Sequence, residues 1–175
     1  MDNLRYWLGF NLVRGIGPVR LRALLEVFGD IQSAWDAPEY TLREIRLDPR
    51  ARENLLKVRA QVDLEELLRR VDRVGAQVFT WESADYPALL RQIPDAPPVL
   101  FVRGALTSSD EWAVALVGTR KATVYGREVA HRLAGELAQN GITIISGLAR
   151  GIDAIAHRAA LEAGGRTIAV LGCGV

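Results

Sequence analysis

The sequence predicts an α/β chain in two parts. An all-helical stretch occupies residues 1–75, a parallel sheet with crossover helices occupies residues 113–175, and residues 76–112 connect them. Three observations lead there. In the first part apolar residues recur at helical spacing, as at Leu21, Leu24, Leu25 and Phe28. From Trp112 onward, short continuous apolar runs alternate with helical patterns, which marks parallel strands covered on both faces. Two glycine-bearing turns, Gly118-Thr119-Arg120-Lys121 and Ser146-Gly147-Leu148-Ala149-Arg150-Gly151-Ile152-Asp153, each lie between such a strand and such a helix.

The elements follow in order. Leu4, Trp7, Leu8 and Leu12 set the first helix, and Arg14-Gly15-Ile16-Gly17-Pro18 breaks it. Pro18 suits the first turn of the second helix and Gly29 its end. Short helices are expected over Ile31–Trp35 and Leu42–Ile45. A longer amphipathic stretch runs from about Ala51 to Val74 with a break near Asp63. In the connector, Gln77–Trp81 and Val99–Val102 read as strands, and Tyr86-Pro87 and Pro94–Pro98 as turns. The pattern then becomes strand Ala113–Val117, helix Val124–Asn140, strand Ile142–Ile145, helix Ala154–Ala163 and strand Thr167–Leu171. The first of these helices is expected to bury Ala130, Leu133, Ala134, Leu137 and Ala138. Gly172-Cys173-Gly174-Val175 stands where a third loop should begin. A three-stranded parallel sheet leaves one face poorly covered, so the chain reads as a truncated form of a longer protein.

Composition narrows the function. The 175 residues are 49% hydrophobic and 25% charged, with a net charge of +1. No apolar run has the length of a membrane span, and the start lacks the pattern of a signal peptide, which points to a cytoplasmic protein. The lone cysteine, Cys173, excludes an internal disulfide and a cysteine-based zinc site. Charge is balanced in both parts, so any polyanion binding must come from a local cluster.

The two glycine turns supply one. Strand-to-helix turns aim backbone N–H groups and the positive end of a helix at one point, where an anion fits. Gly118, Thr119, Arg120 and Lys121 from one turn, and Ser146, Gly147, Arg150 and Gly151 from the other, are the candidate phosphate ligands. A dinucleotide site is not expected, because only Gly118 and Gly126 follow the first strand and Ser146 stands where an acidic ribose ligand belongs. No phosphate-binding loop ending in Gly-Lys-Ser/Thr occurs. Asp153, His157 and Ser146 could suggest a catalytic triad, but Asp153 is read as the cap of the next helix and so is badly placed to orient His157. His131 should face solvent, and neither histidine has metal-ligand company. No cofactor is expected. Arg14-Gly15-Ile16-Gly17-Pro18 has the form of a helix-hairpin-helix. It fits a DNA phosphate contact or a purely structural helix pair equally well.

Val117-Gly118-Thr119-Arg120, Tyr125-Gly126-Arg127, the run from Ile145 to Asp153 with Ala156-His157, and Thr167-Ile168-Ala169-Val170-Leu171 resemble the DprA/Smf family of DNA-processing proteins. Asp85-Tyr86-Pro87, Pro98-Val99-Leu100, Gly15-Ile16-Gly17-Pro18 and Phe28-Gly29 extend the resemblance over essentially the whole chain. It implies an N-terminal SAM-like domain over residues 1–75 and the first part of a Rossmann-like domain over residues 113–175. It implies a non-enzymatic protein that binds single-stranded DNA in natural transformation, protects incoming strands, displaces single-strand-binding protein and loads the RecA recombinase. In that family the homodimer surface, the RecA contacts and an Arg-Asn-Arg segment near the pocket lie beyond the part matched here. The alternative of a different class is a LOG-like enzyme that hydrolyses nucleoside monophosphates at a similar Rossmann-like site.

Overall fold

In the computed structural model, which describes residues 3–172, nine α-helices and five strands follow one another in two compact units, Met1–Gly104 and Ala105–Val175. Cys173 to Val175, and with them the expectations for Cys173 and most of the third loop, lie outside the described residues.

The first unit is built on helices α1 (Leu4–Asn11), α2 (Pro18–Phe28), α3 (Ile31–Asp36), α4 (Glu39–Glu44), α5 (Pro49–Gln61) and α6 (Leu64–Val74). Their starts are chemically marked. Asp30, Asp48 and Asp63 accept from the N–H groups of Ser33, Ala51, and Glu65 with Glu66, and so satisfy helix-end donors that would otherwise lack partners. The break near Asp63 is therefore real: Val62 ends α5 and Asp63 caps α6. The core gathers Trp7, Phe10, Leu21, Leu24, Ile31, Leu42 and Leu55, all essentially without solvent contact, and Phe10 meets Trp35 edge to face at 5.2 Å. Strands β1 (Gln77–Thr80) and β2 (Val99–Val102) pair antiparallel, with Val78 opposite Phe101, and pack on this core. Between them lies a single helical turn, α7 (Ala88–Arg91), which the periodicity of so short a run does not reveal. The hairpin from Arg14 to Pro18 is woven into the unit. Ile16 is buried, Gly15 has φ +93°, its carbonyl accepts from Arg20 at 2.6 Å, and Asn54 donates to the Arg14 carbonyl at 2.9 Å.

The second unit opens with a 3-10 turn, Ser108–Glu111, and then alternates β3 (Ala113–Ala115), α8 (Val124–Gln139), β4 (Thr143–Ser146), α9 (Ile152–Glu162) and β5 (Thr167–Ala169). The sheet is parallel in the order β3-β4-β5, with Ala115 beside Ile145 and Ile145 beside Ile168. Helices α8 and α9 pack on each other and share one cluster with Ile144. Among the described residues of this unit, both therefore lie on the same face of the sheet, not one on each face as the continuous apolar strands suggest. Their contact is made by small residues, Ala134 and Ala138 against Ala156, Ala159 and Ala160. So narrow a seam leaves Leu133 outside it, 44% exposed, where the sequence predicts burial.

One ion pair closes the end of this unit that lies at the start of the strands. The Arg166 guanidinium, just before β5, grips both carboxylate oxygens of Asp110 at 2.5 and 2.8 Å, and Asp110 also accepts from Thr143 and from the Thr107 N–H. The guanidinium holds the Asp110 carboxyl down at about 2. A carboxyl whose folded value is depressed stabilises the fold above its ordinary range, and the gain disappears as pH falls through the folded value. With Arg166 partly in water the pair contributes about 1–2 kcal/mol. Urea unfolding of Asp110→Asn should show that loss at neutral pH and a flatter dependence of stability on pH between about 4 and 2. A wild-type slope in the variant would remove Asp110 from the account.

Candidate anion-binding site

The site forms where β3 and β4 end. Strand pairing continues past the regular ladder: Leu116 N–H donates to the Ile145 carbonyl and Val170 N–H to the Ser146 carbonyl, each at 2.9 Å. The turns after Val117 and Ser146 thus leave the sheet side by side, and Gly118 and Gly147 are their first residues.

A carboxylate joins the two turns. Asp153 lies in the first turn of α9, is 6% exposed, and accepts from the Gly118 N–H at 3.3 Å and from the Gly147 N–H at 3.2 Å. This corrects the expectation that Asp153 caps its own helix. The residue at the cap position is Gly151, at φ +91° and ψ −131°, and no side chain caps the helix there. Asp153, two residues further on, reaches across to the turns because its helix starts against them.

A Cβ would crowd a neighbour at three of these positions, and at Gly151 the neighbour is backbone, so glycine is required there. A Cβ on Gly118 would lie 2.7 Å from Ile152 Cγ1, and one on Gly147 would lie 2.9 Å from the Asp153 carboxylate. On Gly151 it would run into the Thr119 carbonyl oxygen and come within 2.7 Å of Arg120 Cα. Ile152 N–H donates to the Thr119 carbonyl at 3.2 Å at the same junction. Within the second turn, Leu148 holds φ +54°, a left-handed conformation uncommon for a bulky side chain, and is 55% exposed. Such residues cluster where a backbone is shaped for a ligand.

The expected ligands divide into two groups. Ser146 departs from its expected place: its hydroxyl is buried and donates to the Leu116 carbonyl at 2.6 Å, tying β4 to the end of β3. The N–H groups of Gly118 and Gly147 meet an anion, but it is the protein's own Asp153. Thr119, Arg120, Lys121, Arg150 and Gly151 stay together at the rim. Thr119 Oγ1 accepts from the Lys121 N–H at 3.2 Å and closes the first turn, and the Gly151 backbone lies against that of Thr119 and Arg120. Arg120, Lys121 and Arg150 are exposed and form no ion pair among the described residues. The N–H groups of Thr119, Arg120, Leu148, Ala149 and Arg150 also donate to no acceptor among the described residues. Three cations and five open amides thus issue from one junction beside a left-handed residue, an arrangement whose donors and charge are suited to an anion.

Sequence reasoning passes over Arg127. It donates to the Ala122 carbonyl at 2.7 Å and braces the first turn from α8, whose cap is Thr123 bonded to the Gly126 N–H at 3.1 Å. Its place in the Tyr125-Gly126-Arg127 motif, one turn into a helix that follows an anion-ready loop, is the available signal.

No catalytic triad forms. Ser146 points to Leu116, Asp153 to the two glycines, and His157 Nδ1 lies 2.6 Å from Thr167 Oγ1, which in turn donates to the Ile144 carbonyl at 2.7 Å. Because the Thr167 proton goes to Ile144, Nδ1 carries the proton and donates. His131 faces solvent beside Glu162, 2.9 Å away. Among the described residues no group of His, Cys, Asp and Glu is placed to hold a metal, and no helix is long and apolar enough to cross a membrane.

The model of the family "DNA recombination-mediator protein A" matches residues 77–175. The Smf protein of Synechocystis sp. is 37% identical over 97% of this chain and 44% of its own length. The DNA processing protein DprA of Bacillus subtilis is 34% identical over 80% of this chain and 50% of its own. The X-ray structure of DNA processing protein A from Streptococcus pneumoniae superposes with a TM-score of 0.75 at 29% identity, covering 99% of this chain and 58% of that one. The chain spans about half the length of the relatives it matches.

Two measurements test this geometry. Gly151→Ala should push the turns apart, and amide exchange at Gly118 and Gly147 should quicken by about tenfold or more; unchanged protection there would mean the turns are not clasped at Gly151. Burial pushes the His157 imidazole below its ordinary value, against the pull of the Asp153 charge and the Ser146 backbone. The unfolded chain therefore takes up the proton first, and stability should fall as pH drops below about 6.5. His157→Gln should remove that part of the slope in pH-dependent unfolding, and an unchanged slope would assign it elsewhere.

Proposed function

This chain belongs to the DNA recombination-mediator protein A family, and from that premise we propose that it binds single-stranded DNA through the phosphates at the junction of its two glycine turns. The observation that carries this reading is the set of three exposed cations, Arg120, Lys121 and Arg150, unpaired among the described residues, around amides of Thr119 and Leu148 to Arg150 that find no acceptor there. Arginine takes two phosphate oxygens at once, and lysine supplies a point charge. Tyr125, at the start of α8, is the single aromatic residue in 113–175 and is 77% exposed, so base stacking is a minor contributor and phosphate contact the major one.

Membership of the family supports a wider role. The protein protects incoming strands in natural transformation, displaces single-strand-binding protein and loads the RecA recombinase, acting by binding and not by catalysis. In the full-length family the protein is a cytoplasmic homodimer, and the dimer surface lies beyond the part matched here. The N-terminal helical part, residues 1–75, is a SAM-like module, residues 76–112 join it to the Rossmann-like part, and residues 113–175 carry the phosphate site.

Fluorescence anisotropy with single-stranded oligonucleotides tests the reading. Two or three neutralised phosphates give a slope of about −1.4 to −2.1 in log K against log salt. Arg120→Ala should weaken binding to all base compositions alike and reduce the slope by about 0.7. A slope near zero in the wild type, or unchanged affinity in the variant, would overturn the assignment.

A further inference from the structure

A negative charge lies directly beneath the rim that is read as holding DNA. Asp153 is buried, takes the Gly118 and Gly147 N–H groups, and forms no ion pair among the described residues. The titratable group packed against it from its own helix, His157, is itself buried, with Nδ1 committed to Thr167 and Nε2 without a partner among the described residues. From the facing turns Asp153 receives, among the described residues, the two amides alone. The first turn of α9, which elsewhere would offer its positive end to a ligand, holds this carboxylate instead.

The geometry points to Asp153 as a positioning residue that sets which anion the cradle accepts: a singly charged phosphodiester, and not a doubly charged phosphomonoester or inorganic phosphate. This rests on the reading of the site as one for single-stranded DNA. Two features carry it. The innermost donors of both turns are occupied, so a ligand meets only the rim amides and the side chains of Arg120, Lys121 and Arg150. Two non-bridging oxygens of a phosphodiester can be served there, whereas the third oxygen of a phosphomonoester would point at donors already taken. Second, the fixed carboxylate opposes each negative charge placed above it, and burial leaves that repulsion poorly screened. The three rim cations offset one ligand charge more readily than two. Asp153 therefore holds the turns at one separation and also turns the site away from nucleoside monophosphates.

The experiment uses the full chain and one oligonucleotide sequence carrying either a 5′-hydroxyl or a 5′-phosphate. It adds competition by inorganic phosphate against chloride at equal ionic strength, at about pH 7.5, where a phosphomonoester is largely a dianion. The wild type should bind both oligonucleotides within about twofold, and phosphate should displace them no better than chloride. In Asp153→Asn, which keeps the shape and removes the charge, phosphate should compete about fivefold better than chloride and the 5′-phosphate should be preferred. A purely structural role would weaken all ligands together and leave these ratios unchanged. A wild type that prefers the 5′-phosphate or is displaced by inorganic phosphate overturns the proposal, as does a folded Asp153→Asn with wild-type ratios. If that variant does not fold by circular dichroism, the wild-type ratios decide alone. A wild type that binds neither oligonucleotide sinks the DNA reading and this proposal together; one that binds them but yields to phosphate sinks only this proposal.

Discussion

The second unit depends on one bridge, the Asp153 carboxylate shared between the amides of Gly118 and Gly147. Two turns that leave neighbouring strands would otherwise present N–H groups with no protein acceptor, and the buried Asp153 carboxylate would lack donors, which is the costlier loss. A side chain from the helix that follows the second turn satisfies both. In doing so it fixes where that helix begins, and Gly151 is then forced against Thr119 and Arg120. The arrangement of cations at the rim is a result of this packing and needs no contact among the cations themselves.

The bridge holds only because α9 can come close. The seam between α8 and α9 is lined by alanines, and Gly165 also packs closely on Ala138, where a Cβ would lie 2.6 Å from the alanine methyl carbon. Larger residues in the seam would lift α9 from the sheet and carry Asp153 away from the glycines. The energetic weight of this unit lies in many small, close contacts and a few buried polar bonds. The first unit differs: its core is filled by Trp7, Phe10, Trp35 and leucines, where area removed from water dominates.

Much of this was legible in the sequence. The helices of residues 1–75, the break at Asp63 and the β-α-β-α-β order follow from periodicity and capping chemistry, and strand bounds shift by only one or two residues. The two turns were legible as a pair because glycine and basic residues follow apolar runs. What could not be read was the partner of each polar group. Asp153 next to a helix start reads as a cap, since sequence shows its neighbours in the chain and not Gly118, thirty-five residues away. Ser146 reads as a ligand for the same reason, although its hydroxyl turns inward to Leu116. Leu133 reads as core because helical spacing assigns it to the apolar face without telling how narrow the contact with α9 is. The turn Ala88–Arg91 is shorter than any window in which a period can be seen.

The Asp110–Arg166 pair bears on the order of folding. Its partners are 56 residues apart in the chain, and Asp110 also receives Thr143 from the middle strand. All three strands must be aligned before the pair can close, and parallel strands are slow to pair because each waits for a crossover helix. The two glycine turns lie at the opposite ends of those strands, and their geometry depends on the same alignment. During synthesis, the residues of the rim leave the ribosome well before Arg166 and β5 do. The two turns are thus complete as sequence before they exist as a surface, and they take shape when β5 is seated.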